Sequence, residues 1–154
     1  MSENKNKGII YNLVCGKIKQ YELLFVALIL GVLLLNIMEA KIVEMVSIIV
    51  LSGIAMIYIM TAYEDLSNTG FTEKDVLFQK TNGFGSAIAL IGILFSLVDF
   101  PGHKNMLLVG SISLLISIIY LFAKNRIDFF GKKMVLRMII IAAIAVVMFF
   151  EGLM

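Results

Sequence analysis

Few side chains in this sequence can do chemistry, and their spacing narrows the kind. His103 is the only histidine and Cys15 the only cysteine. His103 follows Pro101 and Gly102 in a short break between apolar runs. It has no nucleophile or acid at the spacing a triad or a general-base pair needs, so catalysis is not expected. Ser111, Ser113 and Ser117 lie inside an apolar run, where a hydroxyl bonds back to the preceding helical turn rather than acting as a nucleophile. A single cysteine gives no internal disulfide and no thiolate set for a metal. No zinc, haem or iron–sulfur spacing occurs either, so no cofactor is expected. The 10 methionines are spread along the chain without a Met-x-x-Met cluster beside histidine, a pattern of adaptable packing rather than copper binding.

The remaining candidates are acids beside apolar runs. Holding a carboxylate in a bilayer costs on the order of 3 kcal/mol or more, so such acids are candidates for an ion or proton path. Glu22, Glu44 and Asp99 come nearest to that position, with Asp99 and Glu44 the residues a conducting path would use. Each stands at the end of a run, where headgroup water can solvate it or where it can cap a turn. No acid occupies the middle of a run.

The elements that would position these residues are membrane helices. The chain has 154 residues, 60% of them apolar and 16% charged, with a mean hydropathy of +0.99. That composition belongs to a polytopic membrane protein, and a net charge of +2 gives no footprint for nucleic acid. Lys80 and Asp99 bracket 18 residues without an Asp, Glu, Lys or Arg, and residues 105 to 123 give 19 more. At about 1.5 Å of rise per residue, nineteen residues cover roughly 28 Å, close to the hydrocarbon thickness of a bilayer. The fold expected is an all-α bundle of about five transmembrane helices, built as two short-turn hairpins and a terminal helix.

In order, residues 1–20 are expected to form a cytoplasmic amphipathic segment, and 21–63 a first hairpin. Residues 64–81 form a loop carrying a short amphipathic helix near 73–80, with Thr72 and Asp75 at capping-box spacing and Phe71 and Val76 at staple spacing. A second hairpin spans 82–123, its third span starting at about Asn82. Residues 124–154 hold a basic turn and a fifth span, in which Arg137, one turn inside, is expected to snorkel to the headgroups. Tyr58 and Tyr120 read as packing residues rather than gates.

The second hairpin turns at the only proline. Pro101 donates no backbone hydrogen bond and pushes Phe100 out of helical geometry, while Gly102 accepts the dihedrals a reversal needs. Gly85, Ala89, Gly92 and Ser96 recur at helical steps on one face, and Gly110, Ser113 and Ser117 do so on the next helix. Such faces let backbones approach closely in lipid, and contact within the bundle is the expected use.

The string IALIGILFSLVDFPGHKNMLLVG resembles the N-terminal transmembrane hairpin of the GldL gliding-motility and type IX secretion family, and of related small membrane proteins, over residues 84 to 123. The residues that carry the likeness are Gly92, Phe95, Phe100, Pro101, Gly102, Met106, Leu107 and Gly110. Asp99 stands where that family usually has His, and Leu114 where GldL carries its intramembrane glutamate. The resemblance implies a transmembrane hairpin in a bacterial inner membrane and a subunit of a membrane complex. The missing glutamate argues against a proton-driven motor.

Eleven of the 13 lysines and arginines fall on the side that holds the N-terminus, and Lys41 and Lys104 on the other. The positive-inside rule therefore puts the N-terminus in the cytoplasm and the C-terminus outside. The basic rim from Lys124 to Arg137, with Phe129 and Phe130, reads mainly as this topology signal, with anionic lipid or an acidic partner as the other reading. Two functions stay open. One is a non-enzymatic subunit or assembly module that meets the lipid bilayer and either itself or another membrane or envelope protein. The other is a small ion- or proton-conducting channel or transporter.

Overall fold

A computed structural model describes residues 21–38, 42–63, 73–124 and 132–151 of the chain. Its elements are five helices, with no strand among the described residues. They are α1 (Tyr21–Ile37), α2 (Val43–Ala62), α3 (Glu73–Leu97), α4 (His103–Ala123) and α5 (Lys132–Glu151). The four from α2 to α5 are long and apolar enough to cross a membrane, and α1 is shorter at 17 residues. The amphipathic segment expected over 1–20, and Phe71 and Thr72 of the staple and cap, lie outside the described residues, as do Phe129 and Phe130.

Helices are what such a sequence must form, because a backbone in hydrocarbon has to satisfy its own hydrogen bonds. Their outward faces carry Leu28, Ile48, Ile49, Ile112, Ile116 and Ile139, all exposed in the isolated chain and suited to lipid. The inward faces are small or branched. Ile29, Leu51, Tyr58, Leu90, Ile93, Leu114, Met138 and Ile141 join one buried cluster that all five helices contribute to. α3 is the central helix and packs on α2, α4 and α5.

The second hairpin is held by backbone proximity. A Cβ on Gly110 would lie 2.6 Å from the backbone N and Cα of Ala89, and one on Gly92 would lie 2.9 Å from the Leu107 amide nitrogen. Together with Gly85 against Ser113, these contacts set an antiparallel register in which 85 faces 113, 89 faces 110 and 92 faces 107. The small-residue faces on α3 and α4 thus meet each other inside one chain. Gly83 performs the same service on the other side of α3, against Ala62 and the Tyr58 carbonyl.

The turn ends α3 in a Schellman arrangement. The Phe100 amide donates to the Phe95 carbonyl at 2.8 Å, Asp99 sits at φ 53°, and the Phe95 and Phe100 rings lie 4.9 Å apart. These are the 6→1 hydrogen bond, the left-handed residue and the hydrophobic contact of that motif. Gly102, at φ 91°, then lets α4 begin, and His103 Nδ1 donates to the Phe100 carbonyl at 2.9 Å.

One expectation needs correction. The short helix near 73–80 and the third span starting near Asn82 are a single uninterrupted helix of 25 residues. The polar residues that suggest a break are satisfied within or beside the helix. Thr81 Oγ1 donates to the Leu77 carbonyl at 2.9 Å, Gln79 Nε2 to the Thr61 carbonyl of α2 at 3.2 Å, and Asn82 turns inward. At about 1.5 Å per residue α3 is roughly 37 Å long, so it extends about one turn past a hydrocarbon core of roughly 30 Å, at its polar N-terminal end.

Candidate functional site

The polar residues that the bundle gathers lie at the end where α1, α3 and α5 begin and α2 ends. Arg137 enters from the second turn of α5. It is 3% exposed and does not snorkel: its Nη1 donates to Glu22 Oε1 of α1 at 3.2 Å and its Nη2 to Asn82 Oδ1 of α3 at 3.4 Å. Ser86, one turn further along α3, donates to the same Asn82 oxygen at 3.4 Å. The guanidinium carbon stands 4.4 Å from the centre of the Tyr58 ring of α2, and Phe25 of α1 meets that ring edge-on at 6.1 Å. Four helices therefore converge on one cation.

Two sequence expectations change here. Glu22 is 4% exposed and ion-paired rather than solvated at the headgroups. Arg137 stays inside because a carboxylate and an amide lie within reach there, whereas reaching for the headgroups would forfeit both. The cost of burying two charges is met by their attraction and by the added hydrogen bonds. Nothing in the sequence joins the two: Glu22 is the second residue of α1 and Arg137 the sixth of α5, and each by itself fits an interfacial position. Two polar atoms of the cluster, Tyr58 Oη and Arg137 Nε, have no hydrogen-bond partner among the described residues.

A second polar station lies on the same α3 face, two turns nearer the helix start. Asp75 is 1% exposed, and the Tyr120 hydroxyl of α4 donates to its Oδ1 at 3.5 Å. Phe78 stacks on the Tyr120 ring at 5.4 Å with 22° between planes. Asp75, read from sequence as part of a capping box, thus faces α4.

The other sequence candidates are placed as follows. Asp99 and Glu44 are both exposed at the opposite end of the bundle, and no hydrogen bond or ion pair joins either to another described side chain. Ser96 is half-buried near the end of α3. The α4 hydroxyls bond back along their own helix: Ser113 to the Val109 carbonyl at 2.8 Å, Ser117 to that of Ser113 at 2.9 Å, and Ser111 to that of Leu107. Leu114 is fully buried in the core. No group of three or more His, Cys, Asp or Glu side chains that could hold a metal occurs among the described residues.

These features define a polytopic helical membrane bundle with a buried ion pair at one end. No protein-family model, curated protein or solved structure matches the chain. The likeness to the GldL hairpin therefore rests on the sequence residues between Gly92 and Gly110 alone.

Proposed function

We propose that this chain is a non-catalytic component of a membrane complex, acting through helix contacts with itself or with another membrane protein. One observation carries the reading. Every described helical glycine on α3 and α4 is used for close packing, with a would-be Cβ 2.6 to 2.9 Å from a neighbour, whereas Gly31 of α1 and Gly53 of α2 have nothing within 4 Å among the described residues. A glycine inside a helix costs about 1 kcal/mol relative to alanine, and packing among the described residues does not offset it at these two positions. Gly31 also lines an apolar groove of about 380 Å³ between α1 and α2, walled by Ala27, Leu34, Val46 and Val50. A small-residue notch beside such a groove suits a helix from a partner.

In this reading the chain sits in a bacterial inner membrane, with its N-terminus in the cytoplasm and its C-terminus outside. Type IX secretion or gliding machinery enters as one candidate setting, through the GldL-like hairpin, and with Leu114 in place of the motor glutamate the role is assembly rather than proton-driven rotation. A second reading, a small ion- or proton-conducting protein, draws on the Glu22–Arg137 pair, since intramembrane charges often mark conduction paths. The mutual pairing of these groups favours a static tie.

The test is purification from the native host in mild detergent, with mass spectrometry of co-purifying proteins and the mass of the complex. A stoichiometric partner or homo-oligomer is expected. Gly31→Leu and Gly53→Leu should release it without lowering the thermal unfolding temperature of the free chain, because no described residue opposes the new side chains and leucine favours a helix over glycine. A monomer from the host, together with proton or cation flux in liposomes, would transfer the argument to the second reading.

A further inference from the structure

On the α3–α4 face, far from the α1–α2 groove, a second apolar groove of about 310 Å³ runs between Leu77 and Thr81 of α3 and Ile116 and Ser117 of α4. Its floor at the bundle end is the stacked pair Phe78 and Tyr120, and Lys74 stands on its rim. The register of the hairpin continues to this end: 85 faces 113 and 78 stacks on 120, which brings 74 level with 124. Position 124 is Lys, the residue that follows α4, and it is exposed like Lys74. Neither lysine has an acidic partner among the described residues. Of the nearby acids, Asp75 is turned inward and receives the Tyr120 hydroxyl, and Glu73 is exposed on the helix turn beside Lys74.

We propose that this groove and the Lys74–Lys124 pair form a binding site for one anionic phospholipid. Its phosphate would sit between the two ammonium groups and an acyl chain would run down the groove past Leu77 and Ile116. The arrangement matches the ligand in three respects. The apolar part points along the helices toward the hydrocarbon, the cations stand at the end where α3 outruns the hydrocarbon, and the aromatic pair lies between the two zones, where amphipathic rings are favoured. A zwitterionic lipid fills the groove equally well but gains less from two unpaired lysines, because its own headgroup cation offsets the phosphate charge, so net headgroup charge sets the selectivity. The inference is independent of the assembly reading, because it uses neither α1 nor α2.

The experiment is native mass spectrometry of the full chain released from nanodiscs of equal parts phosphatidylglycerol and phosphatidylcholine, counting retained lipids. One tightly held phosphatidylglycerol per chain is expected. Lys74→Ala with Lys124→Ala should weaken its retention roughly 30-fold relative to phosphatidylcholine, from the typical contribution of two lysines near a charged surface. Lys132→Ala with Lys133→Ala removes the same charge from the start of α5 and should leave retention within about twofold. Thr81→Phe, which fills the groove and keeps both lysines, should also lose the lipid. Equal loss from both lysine pairs would reduce the effect to a general basic rim and overturn the site. Retention by Thr81→Phe would overturn the groove as the acyl seat, and no lipid selectivity in the unaltered chain would end the proposal.

Discussion

Removing Glu22 should damage this protein more than removing the pair to which it belongs. Across 3.2 Å, a carboxylate and a guanidinium attract by about 5 kcal/mol at the effective dielectric of about 20 that describes most protein sites. Glu22→Gln takes away that attraction and leaves Arg137, 3% exposed, without a counter-charge among the described residues, held only by neutral amide oxygens at positions 22 and 82 and by the Tyr58 ring. A guanidinium cannot shed its proton to escape, so the charge stays buried, and the expected loss is about 3–5 kcal/mol. Arg137→Met leaves a carboxylate instead, which a proton can neutralise, so its cost should be smaller, about 1–3 kcal/mol. The double variant Glu22→Leu, Arg137→Met removes both charges of the pair together and fills the space with apolar atoms, and it should come within about 1 kcal/mol of the unaltered chain. The assay is equilibrium unfolding in mixed micelles with increasing sodium dodecyl sulfate, followed by far-ultraviolet circular dichroism on all four proteins. A Glu22→Gln protein within about 1 kcal/mol of the parent, or a double variant as weak as the worse single, would show that the pair does not work as a coupled unit.

Two further outcomes follow from the second hairpin. Gly110→Ala puts a methyl group 2.6 Å from the Ala89 backbone, where no side chain can move aside, so α3 and α4 must separate; a loss of about 1–3 kcal/mol is expected in the same titration. Asp99 holds a left-handed conformation at φ 53°, so Asp99→Gly should stabilise by about 1 kcal/mol and Asp99→Val should destabilise by at least as much, while Asp99→Asn stays near neutral. If Asp99→Asn instead abolished ion flux in liposomes with the fold intact, Asp99 would belong to a conducting path rather than to a helix cap.

The helical class and most span positions were legible because charge-free runs of bilayer length leave the backbone few alternatives. The reversal at Pro101 and Gly102 was legible for the same kind of reason, since the residue types restrict the dihedrals directly. Which residue before the proline takes the left-handed conformation was not, because that depends on where the last α3 carbonyls find donors. Asp99 shows the difference: as an acid at a span end it looked like a candidate for chemistry, and its backbone angle supplies a structural reason for a small polar residue there. The ion pair was illegible for another reason. Glu22 and Arg137 are 115 positions apart, and each alone looks like an interfacial residue with water at hand. Only the fold, which brings the start of α1 to the Arg137 side chain of α5, makes them neighbours.

The continuous run of α3 joins these observations. Asp75 and Asn82 are seven residues apart, which places them two turns apart on one helix face only if no break intervenes. In the folded chain Asp75 meets Tyr120 of α4 and Asn82 meets Arg137 of α5, so two neighbouring helices are each keyed to α3 by one polar contact. A helix ending at Lys80 and restarting at Asn82 would lose that phase, and with it the alignment of Lys74 above the α3–α4 groove. The stretch from 73 to 82 is polar enough to read as a loop, yet Asp75 and Asn82 hold it in register with the bundle. Thr81→Pro is the change that would separate the two, since it inserts a break between the stations while leaving every partner side chain in place.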